Sequence, residues 1–313
     1  MRFCYANRRH TIFPISYPYT DLKPENFSDA FLLKTKELGF DALEIGLETF
    51  DHFSNKNDLL DFSKRINDFG LVIGCIRAGG TLHDAKHGPK NIERLFNGIE
   101  TAEIIGAEIV NGALSAPARL PGYPPGSVPG SEKGWNISQD SSKDSMLYIY
   151  DEIAKVYKEA CDFANDKKII ITAEVHQNSP VDNSWSAILL HNKVDKENFG
   201  INPDLGNILW NYDVPEETFE NAIDSMASIS KYWHCKNLLT VYHPENNRSV
   251  FIRVPLPDGE IDYRYAISSL YDANYSGYMT IEGAWNGDQW HSDFKSLKYA
   301  KKIWNELESL DKE

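Results

Sequence analysis

Four residues in the second half of the chain have the chemistry of metal ligands, and each closes a short apolar run. Glu174 ends the run in ITAEVHQN, Asp204 the run in GINPDLGN, His234 the run in YWHCKN and Glu282 the run in MTIEGAW. If the runs are neighbouring strands, these side chains converge at one level. Three buried carboxylates repel one another and take up protons unless a cation holds them. A divalent ion bound by Glu174, Asp204, His234 and Glu282 resolves that conflict. Oxygen ligands with one imidazole and no sulfur suit Mn²⁺, Mg²⁺, Co²⁺ or Zn²⁺ and do not choose among them, and Mn²⁺ is the ion expected. His176 and Lys236 follow two residues after Glu174 and His234, so on strands they share the same side. His176 could act as a base or touch a substrate hydroxyl, and Lys236 could neutralise an enolate oxygen. Trp285 and Trp290 follow the last run and could stack on sugar rings, and Arg8 and Arg9 could meet an oxyanion.

The elements that must position these groups are legible as an alternation. β-rich runs fall at Arg2–Ala6, Ala42–Leu47, Leu71–Ile76, Ala107–Ala113, Lys168–Val175, Phe199–Pro203, Tyr232–Lys236 and Gly277–Ile281. Amphipathic helical patterns separate them, near residues 25–38, 57–69, 89–105, 142–165, from 184, 216–228, 262–273 and 291–310, several stopped by glycine. Parallel strands need crossover helices, and eight such units close most simply as a (β/α)8 TIM barrel of one domain spanning residues 1–313. The G-x-G-x-x-G turn of the rival open sheet does not occur after the first run. The segment Leu114–Asp140 breaks the pattern, with five prolines and four glycines in 27 residues. It reads as a long loop after strand four, on the face where barrel enzymes keep their active sites.

Composition narrows the partners. Asp and Glu outnumber Lys and Arg 46 to 32, a net charge of −14, which argues against a nucleic-acid surface. No apolar run is long enough to span a membrane. The start, MRFCYANRRH, has no signal-like apolar core, and no pair of the four cysteines has C-x-x-C spacing. The expectation is a cytoplasmic protein with reduced, buried thiols.

The ordered set GFDALEIGLE, TAEVHQN, NPDLGN, WHCKN, RVPLPDGEIDY and YMTIEGAW resembles the xylose-isomerase-like barrels of the sugar phosphate isomerase/epimerase superfamily, over nearly the whole chain. That resemblance implies Glu174, Asp204, His234 and Glu282 as ligands of one divalent ion, with Glu174 and Glu282 also the acid/base pair. It places Arg253 and the turn Leu256–Asp262 near the substrate; Asn207 and Trp285 are further candidate substrate contacts. It departs from the pattern at Asn207, where members often have histidine. The superfamily's DNA-repair endonucleases use extra histidines on strands three and four. Here His83 follows run three and none follows run four within the loop.

The implied activity is isomerisation or epimerisation of a sugar or keto-sugar, by proton abstraction next to a metal-bound carbonyl. The segment from WHCKN to RSVFIRVPLPDGEIDYRYAI also looks similar to the large subunit of bacterial C-glycoside deglycosidases. That implies the alternative of a lyase that cleaves a 3-keto-C-glycoside by β-elimination. It also implies an oligomer with a small second subunit, and an aglycone wall in the loop carrying Tyr123 and Trp135.

Overall fold

Each apolar run becomes a strand in the computed structural model, which describes all residues except 7–10, 13–14, 17–22, 117–139, 211–215, 247, 284–286 and 312–313. The barrel strands are β1 (Arg2–Ala6), β2 (Ala42–Gly46), β3 (Val72–Arg77), β4 (Ile109–Ala113), β5 (Ile170–Glu174), β6 (Phe199–Asn202), β7 (Trp233–Cys235) and β8 (Tyr278–Ile281). They are parallel and adjacent in chain order from β1 to β6, with β8 beside β1 and β7 beside β8. A parallel bridge between Ile201 and Ser230 joins β6 to the approach to β7. The result is a nearly closed (β/α)8 TIM barrel.

The outer helices are α1 (Asp29–Leu38), α2 (Lys56–Asp68), α3 (Gly88–Ile105), α4 (Leu147–Asn165), α5 (Ser184–Val194), α6 (Phe219–Met226), α7 (Tyr263–Asp272) and α8 (Gln289–Leu310). Two begin later than their periodicity predicts, for a local reason. Pro24–Asn26 forms a separate 3-10 turn, and the Ser28 side chain caps α1 by accepting from the Phe31 N–H. Likewise Ser142–Asp144 is a 3-10 turn before α4. Among the described residues, no helix is long and apolar enough to cross a membrane.

Alternation along the strands makes two cores. Phe3, Leu43, Val110, Ile171, Ile201, Trp233 and Met279 belong to the large core that packs strands against helices. Cys4, Ala42, Cys75, Ile109, Tyr232 and Tyr278 form a separate cluster, flanked by Ile170, that fills the barrel interior at the strands' N-terminal end. A side chain at Gly74 would lie 2.9 Å from the Tyr278 ring, so glycine is needed for that ring to reach across. Arg2 stacks over the same ring at 4.0 Å and pairs with Glu108 at 2.5 Å, closing this end. All four cysteines are buried and free, as expected.

Some elements were not anticipated, among them the short pairing of Thr11–Ile12 with Ile15–Ser16 and a longer hairpin. Between β7 and α7 the chain forms an antiparallel hairpin, Asn237–His243 against Arg248–Val254. It follows β7 with only Lys236 between, so its alternation was masked by the run before it. The Asn237 side chain anchors it, donating to the carbonyls of Leu256 and Ile261 and accepting from the Ile261 N–H.

Candidate metal centre

At the C-terminal ends of β5, β6 and β7 the structure brings Glu174, Asp204 and His234 together. All three are buried, and one ligand atom of each lies within 4.8 Å of the others. His234 Nδ1 is 3.3 Å from Glu174 Oε1 and 3.9 Å from Asp204 Oδ2. This nitrogen is buried and makes no hydrogen bond. A buried imidazole nitrogen facing two carboxylate oxygens is the donor set a divalent cation takes, so these residues fit the implied metal.

Asp204 does two jobs. Its Oδ1 accepts the Asn207 N–H at 3.2 Å and caps the short helix Leu205–Leu209, while Oδ2 faces His234 and Lys236. The Asn207 side chain donates to Glu174 Oε1 at 3.1 Å and to the Val175 carbonyl at 3.0 Å, and its own Oδ1 is buried without a hydrogen-bond partner. The residue expected to touch substrate is therefore engaged in orienting Glu174. Asn111 holds the other oxygen, Oε2, at 3.3 Å.

Glu282, the fourth expected ligand, stands across the site and lies outside the three-residue group. Lys236 is buried, with its Nζ 2.6 Å from Glu282 Oε2 and 2.8 Å from Asp204 Oδ2. The surface position that a lysine after a strand could have taken is excluded. Arg253, on the second hairpin strand, has Nη1 3.8 Å from Glu282 Oε1 and its guanidinium 5.0 Å from the Trp210 ring centroid. His176 is half-buried. Its Nδ1 lies 2.6 Å from the Gln177 carbonyl, which can only accept, so the proton is on Nδ1 and Nε2 keeps its lone pair.

The charges shift one another. Burial would raise the Glu174 carboxyl, but the His234 imidazole beside it holds it below the ordinary carboxylate range. Burial raises Asp204 against the pull of Lys236, and burial lowers His176. Burial would lower His234 too, yet Glu44 and Glu174 hold it above its ordinary value.

Trp290, offered for sugar stacking, packs against Tyr5 and Phe31 in the core. Trp285, Arg8, Arg9 and the loop residues Tyr123 and Trp135 lie outside the described residues. Among the participants missed were Asn111, which holds Glu174, and Glu44. Glu44 in β2 is buried beside His234. Its signal was a charge inside the apolar run ALEIGL, at the inward parity of Ala42.

The fold and its cluster of ligand-type residues at the strand ends define a class of barrel, and the family model described as xylose isomerase-like TIM barrel matches residues 32–300. The chain belongs to that family. No curated protein sequence matches it. Among solved structures it is similar to a xylose isomerase-like TIM barrel protein from Mycobacterium smegmatis in complex with magnesium. That match has 20% identity and a TM-score of 0.73, covering 96% of each chain. It is similar to an L-ribulose 3-epimerase at 14% identity and TM-score 0.71, covering 99% of this chain and 97% of that one. It is also similar to the 3-keto-D-glucoside 4-epimerase of E. coli, at 15% identity and TM-score 0.65, covering 96% and 99%.

Proposed function

We propose that this barrel is a divalent-metal-dependent isomerase or epimerase of a sugar or keto-sugar. The observation that carries the reading is the convergence of Glu174, Asp204 and the unbonded His234 Nδ1 at the strand ends. These three would hold the ion, with Glu282 facing them from β8. A divalent ion there supplies a Lewis acid that polarises a carbonyl and its neighbouring hydroxyl and acidifies the C–H between them. Glu174 takes that proton. Asn207 and Asn111 fix its two oxygens, so the carboxylate is aimed before substrate arrives. The electron pair left on carbon spreads onto the carbonyl oxygen, and the Lys236 ammonium is the buried cation placed to balance it. Glu282, once protonated from solvent, returns a proton and is left as the carboxylate paired with Lys236, while Glu174 keeps the proton it took. Delivery to the other face of the same carbon gives epimerisation, and delivery to the neighbouring carbon gives isomerisation. His176 Nε2 is free to accept a sugar hydroxyl.

The neighbouring structures named for L-ribulose and 3-keto-D-glucoside epimerases support the substrate class. The keto-glucoside neighbour also favours the second reading, a lyase that starts with the same proton removal from a 3-keto-C-glycoside and then expels the aglycone. That reading carries a small second subunit with it. The test is incubation of the purified, metal-loaded protein with keto-sugars and 3-keto-glycosides in D₂O, followed by NMR. Deuterium at the carbon beside the carbonyl with an epimeric or isomeric product supports the proposal. Release of free aglycone moves it to the lyase. Products without solvent deuterium would point to a hydride shift and sink the proton-transfer mechanism.

A further inference from the structure

We infer that Glu44 is the positioning residue that presents His234 Nδ1 to the metal, an inference that rests on the metal-dependent reading. Glu44 is the only carboxylate among the described residues that hydrogen-bonds the far nitrogen of this imidazole. Its Oε2 lies 2.5 Å from His234 Nε2, and both side chains are inaccessible to solvent. Two further donors fix the carboxylate. The Tyr232 hydroxyl donates to Oε2 at 2.8 Å, and Arg77 donates to Oε1 at 3.0 Å. Arg77 can only donate and occupies Oε1, while the Tyr232 hydroxyl and the imidazole share Oε2. With both oxygens serving as acceptors, Nε2 is the donor of the pair, and in the neutral imidazole that a metal requires the lone pair lies on Nδ1. That is the nitrogen 3.3 Å from Glu174 and 3.9 Å from Asp204. The ring is held at a third point, its backbone, where the His234 N–H donates to Asn202 Oδ1 at 2.7 Å. Arg77 is itself braced from outside by Glu48, which also pairs with Arg94 of α3. The imidazole is thus held by Glu44 of β2, which is in turn held by Arg77 of β3 and by Tyr232.

Carboxylate partners of ligating histidines typically change metal affinity by 10–100-fold when removed. Titration of the wild-type and Glu44→Gln proteins with Mn²⁺ by calorimetry should therefore show binding weakened about 10–100-fold in the variant, with Glu103→Gln, at an exposed carboxylate of α3 paired with Lys167, close to wild type. Equal affinity in the wild-type and Glu44→Gln proteins would overturn the inference. A second measurement needs no variant. In ¹⁵N-histidine-labelled wild-type protein, His234 should carry a proton on Nε2 without metal, and on Nε2 alone once Zn²⁺ is bound. A proton on Nδ1 instead overturns the inference even if Glu44→Gln fails to fold. Should the wild-type protein take up no Mn²⁺, the metal-dependent reading fails, while the proton position still decides the role of Glu44.

Discussion

At one end of the barrel interior Cys4, Ala42, Cys75, Ile109, Tyr232 and Tyr278 pack as a small apolar cluster. Two residues further along the same strands, about 7 Å away, stand Glu44, Arg77, Asn111, His234 and Thr280. Another two residues on come Lys236 and Glu282, with Lys236 bridging Glu282 and Asp204. The strands are common to both ends, so backbone pairing cannot account for the difference. Side-chain chemistry changes at the inward positions while the outward ones remain apolar throughout. The N-terminal end is built for burial, and its polar contacts lie at the edges of the cluster, where Tyr278 meets Arg2 and Glu108 and the Tyr232 hydroxyl reaches Glu44. At the C-terminal end every charge depends on another, from Glu44 on His234 to Glu282 on Lys236. Stability and chemistry are thereby separated by one or two pleats of the same sheet.

Three measurements would break or sharpen that separation. The largest effect is expected at Glu174. Glu174→Gln keeps the shape and removes the base, so turnover should fall about 10²–10⁴-fold with little change in the unfolding midpoint. Turnover within threefold of wild type would remove Glu174 from the mechanism. Next is Lys236→Met, which leaves Asp204 and Glu282 buried without their shared cation. Losing one partner of a buried pair costs about 3–5 kcal/mol. Urea denaturation in EDTA should show that loss, and added Mg²⁺ should recover part of it if a cation can take over at these carboxylates. An undiminished midpoint in EDTA would mean that the charges at this end do not depend on one another in this way. The smallest effect belongs to the apolar end. Ile109→Val should cost about 0.5–1.5 kcal/mol and leave kcat and KM alone. A tenfold change in kcat from that single methyl group would show that the two ends are coupled.

Much of this arrangement was legible in the chain itself. The eight runs became the eight strands, because a run of alternating or continuous apolar residues is a local property that few backbone states satisfy. Glycines at the helix ends were equally readable, and Gly39 and Gly106 adopt the left-handed conformations that stop α1 and α3. Glu174 and Asp204 could be singled out because they close their runs, and His234 because it is an imidazole within an otherwise apolar one, and the barrel brings strand ends together. The hairpin Asn237–Val254 was not legible. Its strands are stabilised by pairing with each other, and that pairing is invisible when each is read alone.

The partnerships within the site belonged to the tertiary structure alone. Whether Lys236 faced solvent or the interior depended on which way β7 turned its alternate residues, and it turned His234 and Lys236 inward together. Asn207 holding Glu174, Glu44 holding His234 and Lys236 holding Glu282 join residues 33, 190 and 46 positions apart. Sequence patterning determines which residues lie on a strand and which face they share, since that follows from the two-residue repeat. The choice of partner for a charge depends on the register and order of strands distant in the chain. In a low-dielectric interior a difference of an ångström or two decides which pair forms, so only the closed barrel could settle it.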